Sequence, residues 1–295
     1  MPNDLHSSVA DLIAQTTGQA AVVLSTRPTA GGCINQTEIL TLTDGRSFFV
    51  KSNATTPDLF ESESTGLAAI AQTKTIRVPK TIGHGITESG IGFLVLEQIE
   101  TGTTGINFFE DFGRSLAEMH RIGRAEKFGF DSNNHVGQTQ QINRKSVDWI
   151  EFWTVNRIEF QLDLASKNGF ASIELIAGCE RVNRTLEQLI GSSSEPPSLI
   201  HGDLWSGNFM VSSSGQPILI DPAAYYACRE SEFGISTLFG GFAPQFYDAY
   251  NEQWPMNDGW QDRVEIYKLY HLLNHVNLFG ANYLTGCFQI IKKFG

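Results

Sequence analysis

Apolar positions follow two different spacings along this chain. Up to about residue 100, short apolar runs separated by turn residues dominate; beyond it, apolar residues recur three and four apart. Residues 8–17, with Val9, Leu12 and Ile13 at helical spacing and Gly18 as a stop, predict a short helix. Residues 21–26, 37–43 and 47–51 predict strands, with Asp44-Gly45 as a hairpin turn between the last two. Residues 60–71 predict a helix with Phe60, Leu67, Ile70 and Ala71 on one face, and 82–86 and 91–98 predict strands flanking Glu88-Ser89-Gly90. A polar linker at 101–105 is taken as the boundary between units 1–100 and 101–295. Helices follow at 108–120 (Phe109, Phe112, Leu116, Met119), 149–165 (Trp149, Phe152, Trp153) and 173–190. The glycine-rich stretch 128–141 reads as an irregular loop. A helix at 230–239 is broken by Gly240-Gly241-Phe242, and two further helices, 244–252 and 259–278, close the second unit. The class is therefore α+β, a small β-rich unit followed by a larger helical one.

The chemistry concentrates in residues 199–221, LIHGDLWSGNFMVSSSGQPILID. Asp203 and Asn208 have four residues between them, and Asp221 follows a pair of short strands. Protein kinases transfer phosphoryl groups with this spacing, in H-R-D-x4-N and a later D-F-G. The chain departs twice: Gly202 stands in the arginine position, and Asp221-Pro222-Ala223 replaces D-F-G. Mg²⁺ takes hard oxygen ligands, and one Asn and one Asp beside the phosphates suffice. Each residue alone also fits a turn cap. Upstream, Gly31-Gly32-Cys33-Ile34-Asn35 joins the first two strands and Lys51 ends the third, the order in which a kinase builds its phosphate roof. The helix at 60–71 offers Glu61 or Glu63 as a partner for Lys51. Glu97 and Ile99 fall at a hinge whose backbone would hold the adenine edge. His271 and His275 are spaced four apart, but Leu272 stands where a zinc protease has Glu, so both read as structural.

Composition narrows the class. The chain has 295 residues and a net charge of −11, which argues against nucleic acid and anionic membranes as partners. No apolar run approaches the roughly 20 residues of a membrane span, and the first ten residues lack the charge and apolar pattern of a signal peptide. The four cysteines lie far apart, which suits a reducing cytoplasm. Cys33, in a turn whose backbone N–H groups favour a thiolate, is a candidate redox switch, including disulfide pairing between two chains. The expected state is a monomer or a homodimer linked in this way.

The string from His201 to Asn208 (HGDLWSGN), the strand pair ending in Ile220-Asp221-Pro222-Ala223 and the later Gly240-Gly241-Phe242 resemble the fructosamine (ketosamine) kinase family. That family lies within the aminoglycoside- and choline-kinase-like branch of the protein-kinase-like fold. The resemblance implies a two-lobed fold, a small β-rich N-lobe (1–100) and a helical C-lobe (101–295) with its catalytic loop at 199–221. It implies ATP and Mg²⁺ as cofactors and a small-molecule or protein-bound ketoamine as acceptor, phosphorylated on the 3-hydroxyl of a ribulosamine or fructosamine. In the family, the sugar 3-phosphate then breaks down and frees the amine. Asp203 would take the hydroxyl proton, Asn208 and Asp221 would hold Mg²⁺, and Lys51 would hold the phosphates under Gly31, Gly32 and Asn35. The family's Phe-Glu-x-Glu pattern favours Glu63 over Glu61. Trp205, and more weakly Trp149 and Arg157, would touch the acceptor. The rivals are a kinase of an aminoglycoside- or choline-like alcohol and a non-catalytic nucleotide-binding scaffold.

Overall fold

The computed structural model describes residues 2–29, 35–57, 59–190 and 195–295. Helix α1 (Pro2–Thr17) leads into strands β1 (Val23–Pro28), β2 (Gln36–Leu42) and β3 (Ser47–Asn53); α2 (Leu59–Thr73), β4 (Thr81–Ile86) and β5 (Gly92–Glu97) follow. The five strands form one antiparallel sheet in the order β1-β2-β3-β5-β4. Side-chain parity assigns its faces. Phe48, Val50, Phe93 and Val95 pack with Val9 and Ile13 of α1. Leu94 and Leu96 point the other way and join Phe60, Leu67 and Ile70 of α2. Lys51 shares the parity opposite to Val50, so the strand period alone turns it toward α2.

The remaining chain is mainly helical. It runs through α3 (Phe108–Ile122), a hairpin of β6 (Asn134–Val136) and β7 (Thr139–Gln141), α4 (Trp149–Trp153), a π-helical turn (Thr154–Glu159), α5 (Phe160–Lys167) and α6 (Ile173–Ile190). Then come β8 (Ser198–Ile200), β9 (Phe209–Val211), β10 (Pro217–Leu219), β11 (Tyr225–Ala227), α7 (Glu232–Leu238), α8 (Pro244–Gln253), α9 (Trp260–Phe279), a 3₁₀ turn (Ala281–Tyr283) and α10 (Leu284–Phe294). Strands β8 and β11 pair, as do β9 and β10, so the 199–221 stretch is a loop followed by a short hairpin.

Three expectations are corrected. The 128–141 stretch is not wholly irregular, because β6 and β7 pair within it. The 149–165 helix contains the π-helical turn, a widening that side-chain periodicity does not show. A further helix, α10, follows α9. Gly280 at φ +95° ends α9, and Cys287, Ile290 and Ile291 then bury one face of α10. No helix among the described residues is long and apolar enough to cross a membrane.

Helices α3 and α8 meet at Gly113, where an added Cβ would lie 2.1 Å from the Phe246 carbonyl oxygen. A backbone atom cannot swing aside. Gly113→Ala is therefore expected to lower the unfolding free energy by about 2–3 kcal/mol, read by urea denaturation. His271 is buried in α9, and burial pushes its pKa down to about 3. Among the described residues no cluster of His, Cys, Asp or Glu fits a metal ion. Between pH 3 and the ordinary histidine range near 6.5 this site takes a proton only when the chain unfolds, so acidification favours unfolding there. In His271→Leu, the fall of stability between about pH 6 and 4 should be shallower by about 1.4 kcal/mol per pH unit.

Candidate active site

The site begins at Lys51. Its Nζ lies 2.7 Å from Glu63 Oε1 and also bonds the Asp221 carboxylate. Burial alone would pull this ammonium down, but the two carboxylates outweigh it and hold its pKa above the ordinary lysine range. Glu61, two residues earlier on α2, is exposed, whereas Glu63 is buried. A helix turns about 200° over two residues, so only one of the pair can face the sheet.

The two loops that carry Asp203 and Asp221 lie against each other. Asp221 adopts φ +55°, a left-handed conformation that Asp tolerates better than most residues. It is held by flanking backbone bonds: Ile220 N–H to the Asn208 carbonyl at 3.1 Å, and Ala223 N–H to the His201 carbonyl at 2.9 Å. His201 Nε2 bonds the Ile220 carbonyl at 2.8 Å. Gly202 sits at φ +82°, and a Cβ there would be 2.3 Å from the Ala223 carbonyl oxygen. The glycine in the arginine position of the kinase pattern thus lets the two loops approach.

Asn208 Nδ2 donates to the Asp203 backbone carbonyl at 2.8 Å and to its carboxylate at 3.0 Å. The Asn208 amide oxygen keeps its lone pairs, and it and the Asp221 carboxylate, which lines the same cleft, are hard oxygens of the kind Mg²⁺ takes. Burial pushes the Asp203 carboxyl up to about 8 against the Asn208 hydrogen bond, and the Asp221 and Glu232 carboxylates add to the rise. A carboxyl raised this far keeps its proton through neutrality, so it acts as a base only where added positive charge beside it brings the value back down.

Glu232 escaped the sequence reading. Fully buried at the start of α7, its carboxylate accepts the backbone N–H groups of His201 and, at 3.0 Å, Gly202. It thereby clamps the backbone immediately before Asp203. His120, read as core, lies behind it, with Nε2 3.5 Å from Glu232 and Nδ1 2.7 Å from the Tyr250 hydroxyl. The only sequence signal was an acidic residue starting a helix, which normally marks a solvated N-terminus.

A cleft of about 360 Å³ joins these parts. Asn35, Glu63, Asp203, Trp205, Asn208 and Asp221 line it, so the structure brings these expected site residues together. Asn35 Oδ1 also accepts a 2.9 Å bond from Asn53. Glu97 and Ile99 are not among its described lining; the Glu97 side chain pairs with Arg77 and takes the Lys80 N–H at 2.9 Å. Gly31, Gly32 and Cys33 lie outside the described residues. Trp149 and Arg157 are corrected: they are 2% and 0% exposed, and neither reaches the cleft. Trp149 Nε1 donates to the Tyr267 hydroxyl at 3.0 Å. Arg157 lies over the Tyr225 ring at 4.0 Å and donates to the Ile142 carbonyl and, at 2.8 Å, to Asn143 Oδ1. His275, read as structural, lines the cleft, as do Asn274, Phe239, Phe279 and Tyr283, none of them singled out from sequence.

Known proteins resemble this chain over nearly its whole length. A family model described as fructosamine kinase matches residues 5–294. A "Probable ketoamine kinase" of Synechocystis is 38% identical over 288 residues, 97% of this chain and 95% of that protein. A "Protein-ribulosamine 3-kinase, chloroplastic" of Arabidopsis thaliana is 39% identical over 281 residues, 95% of this chain and 85% of that protein. The crystal structure of a candidate fructosamine-3-kinase from Thermobifida fusca superposes with a TM-score of 0.85 at 31% identity, covering 97% of both chains. A thermostable mutant of the aminoglycoside phosphotransferase APH(4)-Ia, solved with ADP and hygromycin B, superposes with a TM-score of 0.61 at 13% identity over 97% of this chain and 98% of its own, a likeness of fold.

Glu232→Gln replaces an acceptor of two backbone N–H groups by an amide that carries its own N–H groups. The unfolding free energy is expected to fall by about 2 kcal/mol in urea melts. Glu61→Gln, on the exposed side of α2, should move it by less than about 0.5 kcal/mol.

Proposed function

The chain belongs to the fructosamine kinase family of ATP-dependent kinases, and we propose that its acceptor is a ketoamine, phosphorylated on the 3-hydroxyl of a ribulosamine or fructosamine. The observation that carries the reading is the gathering of Lys51–Glu63, Asp203, Asn208 and Asp221 around one cleft, in a chain whose relatives bear ketoamine and ribulosamine kinase names. Release of the amine from the phosphorylated sugar would make the reaction a deglycation.

Each residue then has a task. Lys51, aligned by Glu63, would hold the α- and β-phosphates, with Asn35 contributing from the same cleft. The backbone near Glu97 and Ile99 would take the adenine edge at the join of the lobes, close to residue 100. Asn208 and Asp221 would hold Mg²⁺, which would supply positive charge against the phosphates. Asp203 orients the acceptor hydroxyl and takes its proton as the phosphoryl group moves. Glu232 keeps the Asp203 loop in place through the backbone. Trp205, on that loop, packs on the sugar. An added Cβ at Gly207 would lie 2.5 Å from its ring, so the glycine leaves room for the indole. Positioning and charge neutralisation provide most of the barrier reduction in such a transfer.

The test is ATP consumption in Mg²⁺ buffer with ribulose-Nε-lysine and fructose-Nε-lysine, beside choline and an aminoglycoside. Turnover is expected with the ketoamines. Asp203→Asn should retain ATP binding while kcat falls by roughly 10² or more. Turnover with choline or the aminoglycoside alone would discard the ketoamine assignment, and near-normal turnover in the variant would discard Asp203 as the base.

A further inference from the structure

Helix α6 carries two stripes. Leu175, Cys179, Val182, Leu186 and Ile190 face the core. About 100° around the helix, Ile176, Glu180, Asn183 and Glu187 line a groove of about 360 Å³ against the segment from α4 to α5. None of the described residues lining this groove lines the cleft of Asp203. The buried Ile158 and Leu162 and the exposed Ile176 give it apolar surface. The opposing wall is built on the π-helical turn, a rare conformation that is often retained at functional sites.

Glu159 and Asp163 stand on that wall and Glu180 and Glu187 on α6, all four exposed. Among the described residues none of them forms an ion pair. Arg184 is the one cation among the described lining residues, and it is equally unpaired. Four carboxylates against one guanidinium leave the groove three negative charges. Such a rim by itself is an ordinary solvated surface. Asn183 sets this one apart. It lies between Glu180 and Glu187, is 8% exposed, and its Oδ1 has no hydrogen-bond partner among the described residues. Buried acceptors are normally paired and leaving one unpaired is costly, so the groove lacks a donor.

The class of guest follows by comparison. An anion meets like charge. A neutral alcohol would donate to Asn183 but leave the carboxylates without partners. A metal ion would leave the Ile158, Leu162 and Ile176 surface unused. An alkyl chain that bears ammonium groups uses all three features. Glu180 and Glu187 are seven residues apart, about 10 Å along α6, with Asn183 between them. In a triamine with three- and four-carbon links, successive nitrogens lie about 5–6 Å apart. Its ends then match the two carboxylates and its middle N–H groups match Asn183. The groove has the volume of a small-ligand pocket rather than the extent of a protein interface.

We propose that this groove binds a linear alkyl polyamine. Its methylenes cover Ile158, Leu162 and Ile176, its end ammonium groups meet Glu180 and Glu187, and a middle nitrogen donates to Asn183. Glu159 and Asp163 hold the same cation from the opposite wall. The site is separate from the catalytic cleft and independent of the acceptor assigned above.

The test is calorimetry with spermidine at low ionic strength, on the full chain saturated with Mg²⁺-ADP so that the catalytic cleft is occupied. Binding at one site is expected, and 1,8-octanediol, of similar length without charge, should bind at least about tenfold more weakly. Glu187→Gln and Asp163→Asn should each raise the spermidine Kd about threefold, and together about tenfold. Glu61→Gln removes the same charge away from the groove and should change Kd less than about 1.5-fold. Asn183→Leu should raise Kd about threefold while its urea midpoint stays level or rises, because the unpartnered oxygen is gone. Equal binding of the diol, an unchanged Kd in the groove variants, or an equal rise in Glu61→Gln overturns the proposal. So does a lower urea midpoint in Asn183→Leu, which would mean a bonded amide. Binding of a basic Leu-Lys peptide without binding of spermidine would give the groove to a protein segment and overturn the proposal as well.

Discussion

The buried ammonium of Lys51 ties the sheet to the helical part of the chain. It sits on β3, takes Glu63 from α2 and Asp221 from the loop beyond β10, and is 4% exposed. Taking a charge out of water costs several kcal/mol, and it is offset only when the partners are close and correctly aimed. Three separate segments must therefore arrive together before Lys51 is satisfied. Removing one partner of such a buried pair costs about 3–5 kcal/mol, much of it from the charge left behind. The fold thereby aligns a cation behind the Glu63 and Asp221 carboxylates that line the cleft.

A second, neutral network holds the Asp221 side of the cleft. Asn134 Nδ2 donates to the Ala224 carbonyl at 2.8 Å, and Gln141 Nε2 to the Ala223 carbonyl at 3.0 Å and to Asn134 Oδ1 at 2.8 Å. Asn143 Nδ2 reaches Asn134 Oδ1 at 2.9 Å, and Arg157 joins from the π-helical turn through Asn143 Oδ1. The Tyr270 hydroxyl closes the set on Gln141 Oε1 at 2.9 Å. The β6–β7 hairpin thus grips the backbone two and three residues past Asp221. Among the described residues no carboxylate pairs with Arg157; its charge rests on carbonyl oxygens and the faces of Tyr225 and Phe152. Donors in a low-dielectric interior are strong when paired and costly when not, which makes this a rigid support for a strained residue.

Much of this was legible because kinase chemistry needs certain residues at certain distances along the chain. Lys51 on a strand, a choice of two glutamates on the next helix, and Asp203, Asn208 and Asp221 around a short hairpin all follow from local spacing. Trp149 and Arg157 were misjudged for the opposite reason. An aromatic stripe says that a helix face is covered, not by what, and the π-helical turn shifts the facing of everything after it. The three-residue strands of the β6–β7 hairpin lack a measurable period. Glu232 and His275 carry no local signature, since their tasks lie with residues 30 or more positions away or on other segments.

By itself the sequence determined which chemistry is present and which secondary elements hold it, because hydrophobic period, turn residues and motif spacing act over a few residues. Only the tertiary structure decided which of two glutamates meets Lys51, why a glycine must stand before Asp203, and which aromatics line the cleft. Each of those outcomes depends on the close approach of distant segments. Excluded volume and the need to pair buried polar groups settle them once the layers are packed, and neither constraint can be counted along a chain.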